Sequence, residues 1–316
     1  MSWQPAPAPA PAPSPCAPVE GVVRALRKDL GGGFVVRRVL PSPKQRMVGP
    51  FLFLDHMGPA TLPAGRGLDV RPHPHIHLET LTYLFEGAIL HRDSLGTEQR
   101  ITPGALNWMT AGRGIVHSER SPAEEREKES TIHGMQAWVA LPRAREDEAP
   151  RFVHVPAAEL PLVERGGARL RVVAGDVYGA ASPMALHAPL FYVDAQLEEG
   201  ARVALPDART SRAEAAVEGR AFYVVEGEVE VGGARFEPGR LGVARRGVEV
   251  ELHATAPSRV MLLGGQELGP RHLFWNFAST SAEAIEQAKT DWREGNRARF
   301  PLVPGDEAEH IPLPGE

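Results

Sequence analysis

"RPHPHIHLETLTYLFEG", residues 71–87, puts His73, His75, His77 and Glu79 on alternate positions. In a strand, side chains at i, i+2, i+4 and i+6 share one face. Pro72 and Pro74 disfavour helix here and leave the backbone extended. An extended 73–79 therefore aims four metal-capable side chains at one side of one short segment. Three imidazoles and a carboxylate buried without partners would be costly, and a bound metal ion removes that cost. The bland alternative is a polar, solvated strand face.

A metal needs further ligands, and "TAGRGIVHSER" (110–120) offers them. His117 and Glu119 are again two apart and share a face. Gly112 and Gly114 allow a tight turn before them. This stretch is not a dinucleotide loop, because it lacks the third glycine and no helical pattern follows. His73, His75, His117 and Glu119 together supply three neutral nitrogens and one carboxylate. That set suits one borderline divalent transition metal with positions left open for water, O₂ or substrate. The only cysteine, Cys16, lies in the amino-terminal tail, so no thiolate site competes. The histidines at 56, 91, 133, 154, 187, 253, 272 and 310 stand alone and read as structural or exposed.

The surrounding runs set the fold class. "GGFVVRRVL", "LTYLFEG", "LFYVDAQL", "ARVALP", "AFYVVEGEVEV" and "SRVMLLGG" are β-branched and aromatic, and Gly or Pro bounds them. Such runs predict short strands of an all-β barrel or sandwich. Tyr83-Leu-Phe-Glu-Gly87 is echoed by Tyr223-Val-Val-Glu-Gly227, and a Pro-Gly follows each, at 103–104 and 238–239. A duplicated β unit is the expectation, with the division between residues 142 and 170. Counted from the same landmarks, the second copy has Ala213 and Ala215 where the first has His73 and His75. It has Leu252 and Ala254 in place of His117 and Glu119, with His253 one residue out of register. One metal per chain, in the first half, is the reading. One helix is expected at "STSAEAIEQAKTDWREG" (279–295) and a shorter one at "PAAELPLVERG" (156–166). "PAEEREKES" (122–130) reads as a solvated loop or a single helical turn rather than a binding patch.

The chain has 316 residues, 42% hydrophobic and 24% charged, which permits two domains of ordinary size. A net charge of −5 provides no basic field for nucleic acid or anionic lipid. A single cysteine excludes an intramolecular disulfide framework. The start, "MSWQPAPAPAPAPSPCAPVEG", is low-complexity and lacks the basic-then-apolar order of a secretory signal. No run of eighteen apolar residues occurs. The expected organisation is a disordered arm at 1–20, a metal-binding domain at 21–150 and a ligand-free domain at 151–316, in a cytoplasmic protein.

"HPHIHLETLTYLFEG" (73–87), "ITPGALNWMTAGRGIVHSER" (101–120), "LFWNFASTSAEAIEQAKTDW" (273–292) and the closing "IPLP" (311–314) resemble the pirin family, bicupins of the cupin superfamily. The resemblance runs over about residues 20–316. It implies two cupin-type β-barrels packed face to face, a short C-terminal helix and a metal in the first barrel. The implied ligands are His73, His75, His117 and Glu119. It implies iron first, with Mn, Co, Ni, Cu or Zn also compatible with the donors. It also implies a quercetin 2,3-dioxygenase-like activity on a small aromatic substrate such as a flavonol, with O₂. Glu119 would then take the flavonol hydroxyl proton as general base. Trp108 and Met109 could line the cavity, but buried core is the favoured reading. The rival reading is a non-enzymatic iron-binding redox sensor that acts through a protein partner. This chain departs from many bacterial relatives, which have a small residue at 77 and often Ala at 79. Glu79 also stands where the general cupin pattern, His-x-His-x₃-Glu, places its carboxylate, so it competes with Glu119. Glu119 is favoured because the pirin match is closer. His77 is expected to pack or to support a ligand rather than to ligate.

Overall fold

The computed structural model describes residues 17–29, 34–207 and 218–315. Residues 1–16 of the expected arm, with Cys16, lie outside the described residues, as do Ala213 and Ala215. The β-rich runs form strands close to where their composition predicts. "LFYVDAQL" is strand Leu190–Leu197 and "SRVMLLGG" is strand Ser258–Gly265.

Each half of the chain builds one seven-stranded and one four-stranded sheet. The first large sheet runs Arg151–Val155, Leu106–Thr110, Leu78–Glu86, Ser130–Ala140, Phe51–Leu62, Val35–Leu40, Leu26–Asp29. The second runs Val19–Arg24, Arg240–Ala244, Gly219–Glu226, Ser258–Gly265, Leu190–Leu197, Ala168–Ala174, Leu162–Arg165. The small sheets are Asp69–His75, Ile115–Arg120, Ile89–Asp93, Glu98–Ile101 and Arg202–Ala204, Glu251–Ala254, Val229–Val231, Ala234–Phe236. The two plans match strand for strand, as the Tyr-x-x-Glu-Gly echo predicts.

Two edge strands are exchanged. Val19–Arg24, at the start of the chain, pairs with Arg240–Ala244 of the second sheet. Arg151–Val155 pairs with Leu106–Thr110 of the first. Each large sheet is thus extended at one edge by chain that leads to or from the other barrel.

The large sheets face one another across a shared apolar layer. Tyr83, Trp108 and Met135 of the first meet Tyr192, Tyr223 and Met261 of the second, all fully buried. Two tyrosines cross this layer in opposite senses. Tyr83 donates to Asp194 Oδ2 at 2.9 Å, and the Tyr223 hydroxyl lies 3.0 Å from His56 Nδ1. Burying a large apolar side chain contributes about 1.5–3 kcal/mol, against about 1 kcal/mol for a net hydrogen bond. The apolar layer therefore dominates, and the tyrosine bonds fix alignment.

The C-terminal helix forms at Ala282–Arg293, and the Ser281 side chain caps it by accepting from Ala284 N. Ile285, Ala288 and Trp292 make its buried face. They pack on Ile76, Val116, Phe277 and Phe300, which ties the chain end to the histidine-bearing strands. The short helix expected at 156–166 does not form. Leu162–Arg165 is a strand paired with Ala168–Ala174 through a two-residue Gly166-Gly167 turn, both glycines at positive φ. Pro161 blocks a helix, and the glycine pair supplies the hairpin. Residues 122–130 contain one helical turn, Ala123–Arg126.

Candidate metal centre

Two neighbouring strands of the first small sheet carry the candidate ligands. His73 and His75 are on Asp69–His75, and His117 and Glu119 are on Ile115–Arg120. In their antiparallel register His117 lies opposite His73 and Ile115 opposite His75. The register then slips, so that Glu119 pairs with Val70. His73, His75 and His117 each offer a nitrogen, and these atoms lie within 4.8 Å of one another. Glu119 stands outside that tight group but lines the same cavity.

Burial drives the pKa of His73 down to about 4 and those of His75 and His117 well below the ordinary histidine value. Neighbouring imidazoles add to the fall. All three rings are therefore neutral near pH 7, the form that binds metal. Hydrogen bonds orient them. His73 Nδ1 lies 2.8 Å from the Arg71 carbonyl and His75 Nδ1 lies 3.0 Å from the Asn276 carbonyl. A carbonyl only accepts, so each Nδ1 carries the proton and each Nε2 keeps its lone pair. His117 Nε2 is buried without a hydrogen-bond partner. An orphan nitrogen of this kind is costly in a dry interior, and a metal ion would satisfy it. The donors present therefore fit a divalent transition metal.

Behind His117 stands His91, with Nδ1 to Nδ1 at 3.4 Å. His91 Nε2 donates to Asp93 Oδ2 at 3.0 Å. Asp93 Oδ1 in turn accepts from the backbone amides of Leu95 and Thr97, which fixes the carboxylate. With its Nε2 proton given to Asp93, His91 accepts at Nδ1 and holds the His117 proton there. His117 Nε2 is then free for the ion, as in carboxylate–histidine support of metal ligands. Reading His91 as a lone structural histidine misses this. The His91-x-Asp93 spacing repeats that of His117-x-Glu119 and was the available signal.

Glu119 is buried beside Thr82, whose Oγ1 lies 3.1 Å from Glu119 Oε1. Burial raises its carboxyl pKa, and the field of His91 and the Thr82 bond oppose the rise.

The expected common face from 73 to 79 does not hold. The strand ends at His75, and His77 takes φ +58° before the next strand begins at Leu78. The alternation breaks at that left-handed residue, and Glu79 enters the large sheet instead. Its Oε1 accepts from Trp108 Nε1, Thr110 Oγ1 and His187 Nδ1 at 2.8, 2.9 and 2.8 Å. Glu79 is not among the residues lining the cavity, and neither are Trp108 and Met109. His77 is buried with Nδ1 3.0 Å from Ser279 Oγ, away from the three-histidine group. His77 N donates to Gly112 O. Gly112 has φ +49°, and a Cβ there would meet the Glu148 carbonyl, so only glycine fits.

The cavity measures about 1250 Å³, roomy for a drug-sized ligand. Trp138 stands edge-on to His75 at 5.1 Å and stacks on Phe53 at 3.9 Å. Trp275, Asn276 and Ile311 close another side. These come from the far end of the chain, and no local pattern announces them.

Two barrels of one plan, with a buried histidine cluster in the first, define a bicupin with a candidate metal site. Residues 33–139 match the pirin family model, and residues 192–300 match the model of the pirin C-terminal cupin domain. A pirin-like protein of Caulobacter vibrioides is 50% identical over 299 residues, 94% of this chain and 99% of that one. Rat pirin is 32% identical over 83% of this chain and 87% of its own length. The crystal structure of a quercetin 2,3-dioxygenase from Acinetobacter baumannii aligns with TM-score 0.84 and 35% identity, covering 93% of this chain and 94% of that one. The chain belongs to the pirin family. No helix among the described residues is long and apolar enough to cross a membrane.

Proposed function

We propose that this protein is a metal-dependent dioxygenase of the quercetin 2,3-dioxygenase type, which opens a flavonol-like aromatic ring with O₂. The observation that carries the reading is three neutral, buried histidines converging on a large cavity with an aromatic wall. Likeness to the Acinetobacter quercetin 2,3-dioxygenase supports the reaction class. His73, His75 and His117 would hold the ion, and Glu119 would complete the set. Iron is the favoured metal, and the donors also accept Mn, Co, Ni, Cu or Zn. When bound, the ion supplies Lewis-acid polarisation of the substrate's hydroxyl–ketone edge and a site for O₂ chemistry.

The protein's own groups do the rest. Glu119, buried in the cavity beside Thr82, accepts the flavonol hydroxyl proton as general base. Phe53 and Trp138, stacked on each other with Arg38 over the Phe53 ring, give the cavity an aromatic lining suited to a planar ring. Asp93 and His91 keep the His117 proton on Nδ1.

The test is oxygen uptake with quercetin by protein of known metal content. Uptake lost on chelation and restored by metal supports the reading. Bound metal without uptake would refute the dioxygenase and favour a regulatory iron-binding protein.

A further inference from the structure

The chain carries a net charge of −5, yet the cavity is bordered by five arginines and only three carboxylates. Two of the arginines are committed. Arg38 forms a two-pronged pair with buried Asp55 at 2.8 Å, and Arg126 bonds Asp69. The third carboxylate is Glu119, assigned above to the metal. Arg46, Arg66 and Arg71 remain, all with partly or well exposed side chains. Arg71 has Glu309 at 3.9 Å, a loose exposed contact, and no carboxylate among the described residues pairs with Arg46 or Arg66. A positive rim on an acidic protein is a local field, and a concave wall focuses it. The same lining includes the aromatic rings of Phe53, Trp138 and Trp275, the first two buried.

Resting on the reading of this cavity as a substrate site, we propose that its ligand is a planar aromatic anion. The ring lies against the aromatic lining of Trp138 and Trp275, and a carboxylate or sulfonate substituent faces Arg46, Arg66 and Arg71. Guanidinium groups bind such oxyanions with paired hydrogen bonds, which favours arginine over lysine at the rim. An unsubstituted neutral flavonol would fill the cavity and leave the rim unused.

The test is calorimetric titration of the full-length, metal-loaded protein with 2-naphthoate and with 2-naphthol, which share a ring and differ in charge. The naphthoate is expected to bind about tenfold more tightly at low salt. In about 0.5 M salt, with screening over about 4 Å, the preference should shrink to about twofold. The Arg46→Gln/Arg66→Gln/Arg71→Gln variant should show the same loss, with metal content and 2-naphthol affinity unchanged. The single Arg66→Gln variant, at an exposed position, guards against misfolding of the triple one and should lose part of the preference. Equal affinity for the two probes, a preference that survives in the triple variant, or binding of neither probe would overturn the proposal. Oxygen uptake with quercetin is read on the same preparations. Absent uptake with an intact naphthoate preference refutes the dioxygenase and leaves the arginine assignment standing. Uptake without the preference does the reverse.

Discussion

Leu252 and His117 occupy the same place in two copies of one strand plan. His117 lies opposite His73, and Leu252 lies opposite Val203. Leu205 N bonds the Val250 carbonyl, where the first barrel pairs His75 with Ile115. The second barrel thus has Val203, Leu205 and Leu252 where the first has three histidines, and all three are buried in a closed apolar core. The first barrel keeps a cavity and divides its remaining apolar residues between two smaller clusters. Well-filled interiors are stable, and open sites are not optimised for stability. One barrel has kept the core and the other has kept the histidine cluster and its cavity.

The largest expected difference is metal. His117→Ala should lower metal affinity by more than about 100-fold and abolish uptake, whereas His253→Ala should change neither. Equilibrium dialysis and elemental analysis read both. Retained metal in the first variant would erase the contrast.

Stability should run the other way. Leu252→Ala opens a void in a packed core and should cost about 2–5 kcal/mol in denaturant unfolding. His117→Ala in metal-free protein borders an existing cavity and removes an unsatisfied buried nitrogen, so its cost should stay below about 1 kcal/mol. Equal costs would mean that the barrels are packed alike.

Acid should act on the first barrel. Its buried histidines include His56 and His133, whose pKa values fall from 6.5 to about 3 and about 4, mainly through burial. Between those values and 6.5 only the unfolded chain takes up their protons. Their contribution is therefore whole above pH 6.5 and is lost as pH falls toward about 4. Unfolding midpoints taken from pH 7.5 to pH 5 should fall in the wild type. They should fall less in His56→Gln/His133→Gln. An unchanged slope would place the acid sensitivity elsewhere.

The smallest effect concerns the two crossing tyrosines. Tyr83→Phe leaves Asp194 with Arg259 and should cost about 1–2 kcal/mol, because the lost bond was to a buried carboxylate. Tyr223→Phe removes a neutral bond to His56 and should cost about 0.5–1 kcal/mol. The reverse order would show that the Tyr223–His56 bond contributes more than the bond to the buried carboxylate.

Much of this was legible in the chain because β side chains alternate. The strands at 190–197 and 258–265, the capped helix after Ser281, and the shared face of His73 and His75 all follow from local periodicity. Reading stopped being reliable where one residue left that period. His77 at φ +58° removed itself and Glu79 from the face shared by His73 and His75. Histidine enters the left-handed region more often than most residues, but that weak preference does not distinguish His77 from His73 and His75. Counting along the chain gives Ala213 and Ala215 as the second barrel's counterparts, and both lie outside the described residues. Residues 76–77 separate the two strands in the first barrel, whereas in the second the described strands end at Ala204 and resume at Gly219. Among the described residues, strand pairing places Val203 and Leu205 opposite Leu252 and Val250. Asn276 and Ile311 reach the cavity from some 200 residues away in sequence, and such contacts leave no local trace.

The most direct test is elemental analysis of the purified wild type, His117→Ala and His253→Ala proteins after reconstitution with ferrous iron and removal of unbound metal. The account predicts one equivalent of metal per chain in the wild type and in His253→Ala, and none in His117→Ala. Metal retained in His117→Ala, or absent from the wild type, would contradict it.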